Sequence, residues 1–126
     1  MDFDRYVEFY NAGDERKLAD AFYTEDIVFD GGNRLFEGQE AFLQYLHDVG
    51  LGLRQTMRPL VVVQSPEHVF AEMDFVFTAT EDKLDFPFRA LREGESVTLR
   101  FFGSYYLRDG RIARIHLANW AEPRSS

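Results

Sequence analysis

The chain contains no cysteine and no long apolar run, and both absences exclude kinds of protein. Without cysteine there is no disulfide framework, no thiolate chemistry and no cysteine-ligated metal. No stretch approaches the roughly 18 apolar residues that a membrane span requires. The acidic start Met1-Asp2-Phe3-Asp4 has the features of neither a secretory signal nor a transit peptide. We therefore expect a soluble, cytoplasmic protein with no membrane partner.

Positive charge is scarce as well. The 14 Lys and Arg residues stand against 22 Asp and Glu residues, which gives a net charge of −8, and the basic residues are scattered. Because nucleic-acid affinity comes largely from Lys and Arg that neutralise phosphates, we expect no nucleic-acid partner. The three histidines, His47, His68 and His116, are too dispersed for a metal-ligand motif, so we expect neither a metal nor a cofactor.

Apolar and aromatic residues, in contrast, are abundant. Hydrophobic residues make up 45% of the 126 positions and aromatic residues 16%, with 13 phenylalanines among them. A chain of this length can bury a core without disulfides or metals, and we expect one domain over residues 1–126. The phenylalanine content also indicates an aromatic interior or an aromatic-lined cavity.

Helical patterns occupy the first part of the chain. Apolar residues recur at helical spacing in three segments, which begin after Asp2, Asp14 and Gly38. Asp2 and Asp14 are suitable N-caps, and Gly13 is suited to end the first helix. The predicted inner faces are Phe3, Tyr6, Val7 and Tyr10 in the first helix, Leu18, Ala21 and Phe22 in the second, and Phe42, Leu46 and Val49 in the third.

From Arg54 onward the apolar period changes to two, which indicates strands. Alternation from Val69 to Ala79 predicts that Glu72 and Asp74 point away from the core. The turn Asp109-Gly110 predicts a hairpin between the last two strands. The expected inner-face residues are Met57, Val61 and Val63 in the first of these strands, then Val97, Leu99, Phe101, Gly103, Tyr105 and Leu107, and finally Ile115, Leu117 and Asn119.

Together these patterns predict an α+β fold, in which three N-terminal helices pack on one side of a strongly curved, antiparallel or mixed sheet. Such a cone-shaped, half-open barrel leaves a pocket between helices and sheet that a small apolar molecule could occupy. The segment Thr80 to Glu95 interrupts the strands, and Phe86-Pro87-Phe88 within it cannot belong to a central strand. It could form a lid that carries the two phenylalanines over the mouth of the pocket.

Asp30 is the carboxylate that the sequence singles out. It follows the short strand Ile27-Val28-Phe29 and precedes the pair Gly31-Gly32. An acid in this position is either a solvated turn residue, since Asp is common in turns, or a base held in a pocket. In an apolar pocket its charged form would be disfavoured, which would raise its pKa toward that of a useful base.

Several segments, taken with the order of elements, carry a family resemblance. They are Arg5-Tyr6-Val7, Asn11-Ala12-Gly13-Asp14, Phe22, Val28, Asp30, Phe36-Glu37-Gly38 and Asp109-Gly110-Arg111-Ile112. Over nearly the whole chain these features resemble the nuclear transport factor 2-like superfamily. That superfamily includes SnoaL-like polyketide cyclases, ketosteroid isomerases, limonene epoxide hydrolases and scytalone dehydratases. The resemblance is specific for the fold rather than for the reaction.

The N-terminal segment is most similar to ketosteroid isomerase, and this similarity implies roles for two residues. Tyr6 would be the oxyanion-hole tyrosine, and Asp30 would be the aspartate that moves the proton. The second oxyanion donor of that enzyme, a protonated aspartate, falls on or near Gly103, and Leu46 with Tyr45 beside it replaces a supporting tyrosine. Loss of such a donor typically costs a factor of about 10² to 10³ in rate, so efficient steroid isomerisation is not expected.

We predict a small-molecule pocket with the catalytic residues Asp30, Tyr6 and Asn119. The predicted substrate-binding residues are Tyr10, Phe22, Met57, Met73, Phe75, Phe101, Tyr105 and Leu117. Asn119 would be a polar group on an apolar face, and a buried amide must find partners. His116 has the opposite parity and is expected on the outer face, His47 at a solvated helix end, and His68 in an exposed position.

Two functions remain open at this point. One is a SnoaL-like or ketosteroid-isomerase-like enzyme, in which Asp30 is a general base for isomerisation or cyclisation of a carbonyl compound, or activates water for hydrolysis or dehydration. The other is a non-catalytic ligand-binding or association domain, since one fold hosts many functions. In either case we expect a homodimer through the outer sheet face, because that face carries Phe70, Val76, Phe102, Tyr106 and Trp120.

Overall fold

The computed structural model describes residues 1–120 and 124–125, and within them the chain forms three helices and seven strands. The helices are α1 (Phe3–Ala12), α2 (Glu15–Phe22) and α3 (Gln39–Gly50). The strands are β1 (Tyr23–Asp30), β2 (Leu35–Glu37), β3 (Leu53–Ser65), β4 (His68–Ala79), β5 (Ser96–Arg108), β6 (Arg111–Asn119) and β7 (Arg124–Ser125). None of the helices in the described part of the chain is long and apolar enough to cross a membrane.

The ends of α1 and α2 follow the predicted capping. The Asp2 carboxylate accepts a hydrogen bond from the backbone N–H of Arg5 at 3.2 Å, and Asp14 does the same for Lys17 at 3.1 Å. These side chains satisfy N–H groups that lack a partner in the first helical turn. Gly13 ends α1 with a φ of 83°, a conformation that glycine adopts without a Cβ penalty. Both N-cap predictions are therefore confirmed.

The sheet is open and mixed, with the strand order β2-β1-β6-β5-β4-β3 and β7 paired with β5. Strand β1 runs parallel to β6, and the other neighbours are antiparallel. Asp109 and Gly110 have φ values of 52° and 77°, as a two-residue hairpin turn requires. The predicted α+β fold, three helices against a curved mixed sheet, is confirmed.

Strand alternation in β4 defines the two faces of the sheet. Val69, Ala71 and Met73 are fully buried on the inner face, whereas Glu72 and Asp74 both pair with Arg100 on the other face. The prediction that these two carboxylates point away from the core is therefore confirmed.

The prediction for the second half of β3 is wrong. Val61 and Val63 are 54% and 64% exposed, because an irregularity between Pro59 and Val61 inserts Leu60 without a partner on β4. One extra residue reverses the alternation of side chains, so Val61 lies opposite Glu72 and Val63 opposite Phe70. The inner face of β3 therefore ends near Pro59.

Candidate functional site

A cavity of about 960 Å³ lies between the helices and the inner face of the sheet. Its closed end is formed by nearly inaccessible residues, among them Tyr6, Met57 and Tyr105. Its rim carries exposed polar residues, including Asn33 and Arg34. A cavity of this size is large enough for a ligand of several fused rings.

One wall of the cavity is a closed circuit of five phenylalanines, which we call the phenylalanine ring. Successive ring centroids lie 6.2 Å apart for Phe75 and Phe77, 5.2 Å for Phe77 and Phe86, and 5.7 Å for Phe86 and Phe88. Phe101 closes the circuit, 6.5 Å from Phe88 and 5.1 Å from Phe75. Strands β4 and β5 supply three members, and residues 80–95 supply Phe86 and Phe88. These two phenylalanines thus line the cavity, as the lid interpretation requires.

A second aromatic group lines the cavity from β1, β2 and α3. The rings of Phe36 and Tyr45 stack with centroids 4.5 Å apart, and Phe29 lies 6.4 Å from Phe36 and 5.7 Å from Tyr45. Phe42 stacks on Phe29 at 4.9 Å and anchors this group to the core. Aromatic faces therefore contribute to the cavity from both the helical side and the sheet side.

Buried phenols form the closed end. The hydroxyls of Tyr6 and Tyr23 are hydrogen-bonded at 2.9 Å, and the Tyr105 hydroxyl donates to Met73 Sδ at 3.7 Å. Burial raises the pKa of all three phenols well above the ordinary value of 10.0. They are accordingly neutral at physiological pH and can act as hydrogen-bond donors.

The accessible polar pair of the cavity is Tyr10 and Gln55. The Tyr10 hydroxyl donates to Gln55 Oε1 at 3.0 Å, and both residues are half-buried and line the cavity. Burial also raises the pKa of Tyr10, so its hydroxyl keeps its proton. Because Oε1 is occupied by Tyr10, the two protons on Gln55 Nε2 are the ones that this pair can offer to a ligand.

Asp30 does not line this cavity. Ile27 and Phe29 are buried on the inner face, so alternation along β1 places Asp30 on the outer face, where Gly32 donates to its Oδ1 at 2.9 Å. Arg114 Nη2 lies 3.8 Å from its Oδ2. The cavity-lining residue at this end of β1 is Gly31. The geometry is that of the turn residue, and the prediction that Asp30 lies in the pocket is corrected.

Two predicted wall residues also lie outside the cavity. Phe22 is buried between the first two helices, with ring centroids 5.4 Å from Tyr6 and 5.3 Å from Phe9. Met73 is fully buried beneath Tyr105. Both residues belong to the core because the rings of Tyr6 and Tyr105 separate them from the cavity. The predicted residues that do line it are Tyr6, Tyr10, Met57, Phe75, Phe101, Tyr105, Leu117 and Asn119.

Asn119 contacts the cavity from its rim rather than from its interior. The residue is exposed, and its Nδ2 donates to the carbonyl oxygen of Arg100 at 3.3 Å. Its Oδ1 is the part of the amide that remains to accept a hydrogen bond from a ligand.

The histidines lie away from the cavity. His116 is on the outer face, as expected, and accepts a hydrogen bond from Arg114 Nε at 2.7 Å. His47, near the end of α3, is exposed, and its Nδ1 lies 3.3 Å from Glu15 Oε1. His68 is half-buried, not exposed as predicted, because it is hydrogen-bonded to Ser104 at 2.8 Å. In the described residues no three His, Asp or Glu side chains are grouped so that they could hold a metal ion.

Comparison with known families agrees with this architecture. A family model described as a SnoaL-like domain matches residues 3–115. The chain belongs to this family. The SnoaL-like domain here thus lies within the nuclear transport factor 2-like superfamily, as the sequence indicated. No curated protein gives a significant match.

Solved structures similar to this SnoaL-like domain include two candidate polyketide cyclases. One, from Xanthomonas campestris pv. campestris, is 26% identical with a TM-score of 0.74, over 90% of this chain and 83% of that one. The other, from Pseudomonas putida KT2440, is 22% identical with a TM-score of 0.74, over 94% and 87%. An epoxide hydrolase/cyclase-like enzyme, SalBIII, involved in pyran ring formation in salinomycin, is 17% identical with a TM-score of 0.77, over 98% and 92%.

Sequence reasoning missed several lining residues of this SnoaL-like domain. Gln55 has the same parity as Met57, so strand alternation alone could have placed it on the inner face. Phe29 was recognised as a strand residue, and its parity with Ile27 also predicts an inward side chain. Tyr45 gave no such signal, because the predicted inner stripe of the third helix ran through Leu46.

Proposed function

We propose that this SnoaL-like domain binds a flat, aromatic or polycyclic molecule that carries a carbonyl oxygen, of the kind that polyketide cyclases act on. The observation that supports the proposal most is the aromatic lining of one 960 Å³ cavity, with a neutral amide and phenol pair, Gln55 and Tyr10, inside it. Apolar walls with few polar groups that orient the ligand are typical of small-molecule sites. The likeness to candidate polyketide cyclases points to the same class of ligand.

The chemistry we propose is an intramolecular, redox-neutral ring closure. The enol carbon of a 1,3-dicarbonyl unit attacks a ketone carbon, a carbon–carbon bond forms, and the ketone oxygen acquires negative charge. Gln55 Nε2 donates a hydrogen bond to that oxygen, while Tyr10 orients the amide through its 3.0 Å hydrogen bond. The enol proton ends on the new hydroxyl, so substrate and product are isomers and no cofactor is consumed.

Matched ligands test the binding step. Fluorenone and fluorene share a tricyclic frame and differ in one carbonyl group, and displacement of a fluorescent reporter measures their affinities. Gln55→Leu should lower the affinity for fluorenone by roughly three- to tenfold, since it removes one hydrogen bond, and should leave the affinity for fluorene unchanged. Equal losses for both ligands, or none for either, would contradict the assignment of Gln55.

An aromatic triketone tests the chemical step. Ring closure is followed by liquid chromatography, which separates the cyclic hydroxy ketone from the open triketone of the same mass. Gln55→Leu should reduce the rate by about 10²-fold, as loss of an oxyanion donor does elsewhere. If wild-type protein binds the triketone without accelerating its closure, the cyclase proposal fails and the binding proposal stands.

A second function, ligand binding without turnover, is favoured by the positions of the ionisable groups. Among the described residues, the carboxylates that line the cavity are Asp48 and Asp85, both exposed, and all three histidines lie elsewhere. A carrier or sensor of the same ligand needs no general base. The triketone experiment separates the two functions.

We also propose that the protein is a homodimer through the outer sheet face. Phe70 and Trp120 are 45% and 67% exposed there, and Phe102 lies between them, with ring centroids 6.3 Å and 6.1 Å away. A contiguous aromatic surface of this kind is unusual on a monomer.

A further inference from the structure

The chain contains two lysines, Lys17 and Lys83, and one of them lines the cavity. Lys83 belongs to the segment 80–95, next to the phenylalanine ring. Its backbone is held in place, because its N–H donates to Leu91 O at 2.7 Å and the Leu91 N–H donates back to Lys83 O at 3.0 Å. Leu91 is fully buried and anchors this bridge in the core. The backbone of Lys83 is therefore fixed at the cavity wall.

The Lys83 side chain is largely covered but weakly paired. Only 22% of it is exposed, and its ammonium lies 4.0 Å from Asp85 Oδ1, whose side chain is 85% exposed. Such a long, solvent-screened pair stabilises the charge little. An ammonium on the cavity wall without a close carboxylate gains from a closer anion.

The other charged residues on the cavity leave room for such an anion. Arg34 is an exposed cation whose guanidinium lies 5.9 Å from the Tyr45 ring centroid. Of the two lining carboxylates, Asp48 accepts a hydrogen bond from Gln44 at 2.9 Å, and Asp85 is turned to solvent. Both cations therefore line one cavity, Arg34 near Tyr45 and Lys83 in the segment that supplies Phe86 and Phe88.

We propose that the ligand of this cavity is an aromatic anion, a carboxylate or a comparable acid, whose charged group pairs with Lys83 while its rings contact the phenylalanine ring. This inference rests on the proposed aromatic ligand and adds the acid group to it. It accounts for a largely covered lysine side chain on the cavity wall, in a chain whose net charge of −8 otherwise repels anions.

Two fluorescent probes with the same ring system test this pairing. 8-Anilinonaphthalene-1-sulfonate carries an acid group, and N-phenyl-1-naphthylamine lacks it. Lys83→Met keeps the length of the side chain and removes its charge. This substitution should lower the affinity for the sulfonate probe by roughly five- to tenfold and leave the affinity for the neutral probe unchanged. Asp85→Asn removes the competing carboxylate and should raise the affinity for the sulfonate probe alone.

Lys17→Met is the matched control, because Lys17 lies on the surface of α2, does not line the cavity, and should change neither probe. Loss of sulfonate binding in both lysine variants, or in neither, would overturn the role of Lys83. Failure of the neutral probe to bind wild-type protein would instead overturn the proposed aromatic ligand. Thermal unfolding of each variant shows whether the fold is retained.

Discussion

At the scale of single residues, Gly103 determines how Tyr105 packs at the closed end of the cavity. A Cβ at position 103 would lie 2.8 Å from Tyr105 Cε2 and 2.8 Å from Met73 Cε, which is closer than atoms can approach. We predict that Gly103→Ala displaces the Tyr105 ring toward the cavity and costs roughly 1–3 kcal/mol of unfolding free energy. Chemical denaturation and titration of N-phenyl-1-naphthylamine measure the two effects.

Gly50→Ala provides the control, since the nearest side-chain atom to its added Cβ is Gln55 Nε2 at 3.8 Å. It should be close to neutral in stability and in probe binding. If Gly103→Ala behaves like Gly50→Ala, Tyr105 is not held in the way described.

Asp30 gives a second prediction at this scale. Its carboxylate accepts from Gly32 on the outer face, so Asp30→Asn should leave the binding of fluorenone and any ring closure unchanged. Tyr10→Phe removes the hydroxyl that orients Gln55 and should lower the affinity for fluorenone by about two- to tenfold. Reporter displacement measures both, and a large loss in Asp30→Asn would contradict the geometry.

The position of Asp30 also shows how much a sequence can predict about a single residue. Parity with buried Ile27 and Phe29 is enough to place Asp30 on the outer face. The resemblance to ketosteroid isomerase favoured the pocket instead, whereas the cavity-lining residue at this end of β1 is Gly31. Alternation along a strand is a physical constraint on where a side chain points, whereas a family resemblance is not.

At the scale of elements, the segment 80–95 is anchored in the core by two buried side chains, Phe86 and Leu91. Leu91 is fully buried, so Leu91→Ala leaves a cavity in the core and should destabilise the protein by about 2–4 kcal/mol. Because Phe86 and Phe88 belong to the same segment, probe affinity should fall as well. Leu84→Ala, a 58% exposed leucine in this segment, is the control and should have little effect in denaturation or titration. Equal effects of the two substitutions would contradict the anchoring role.

Helices and strands were predictable where one residue pattern continued along the whole element, and less so where the pattern was interrupted. The helix caps, the Asp109-Gly110 hairpin and the alternation in β4 follow directly from residue type and spacing. The bulge after Pro59 does not, because no local signal tells which residue is left unpaired. Phe86 and Phe88 were predictable as phenylalanines outside a central strand, but their closure of a ring with Phe101 depends on tertiary packing.

At the scale of the whole molecule, the stability of the folded protein at acid pH depends on Asp74, a carboxylate on the outer face of the sheet. Burial alone would raise the pKa of Asp74, but hydrogen bonds and charge from Arg100, with a contribution from Arg124, outweigh burial and lower that pKa below 3.8. A pKa depressed in the folded state adds stability above the unfolded pKa, and this stability is lost as pH falls through the folded value. We predict a loss of stability that begins below about pH 5 and continues below 3.8.

Asp74→Asn removes this titrating group. The unfolding free energy of the variant should therefore fall less steeply than that of the wild type as the pH is lowered, which is the acid limb of a plot of unfolding free energy against pH. Asp20→Asn is the control, because its exposed side chain forms no ion pair in the described part of the chain. An unchanged acid limb in Asp74→Asn would contradict the account.

Association is the second property of the whole molecule. If the outer face joins two copies, the protein should have twice the monomer mass in light scattering at micromolar concentration. Phe70→Glu places a charge in the exposed aromatic surface and should yield monomers. Leu35→Glu, at a 54% exposed leucine of the edge strand β2, should leave the dimer intact. A wild-type monomer would contradict the proposed interface.

The most direct test of the cavity as the binding site is a crystal structure of the protein with fluorenone. The proposal predicts the ligand beside the phenylalanine ring, with its oxygen about 2.7–3.2 Å from Gln55 Nε2. An empty cavity at saturating fluorenone, or fluorenone bound at the outer face beside Asp30, would contradict it.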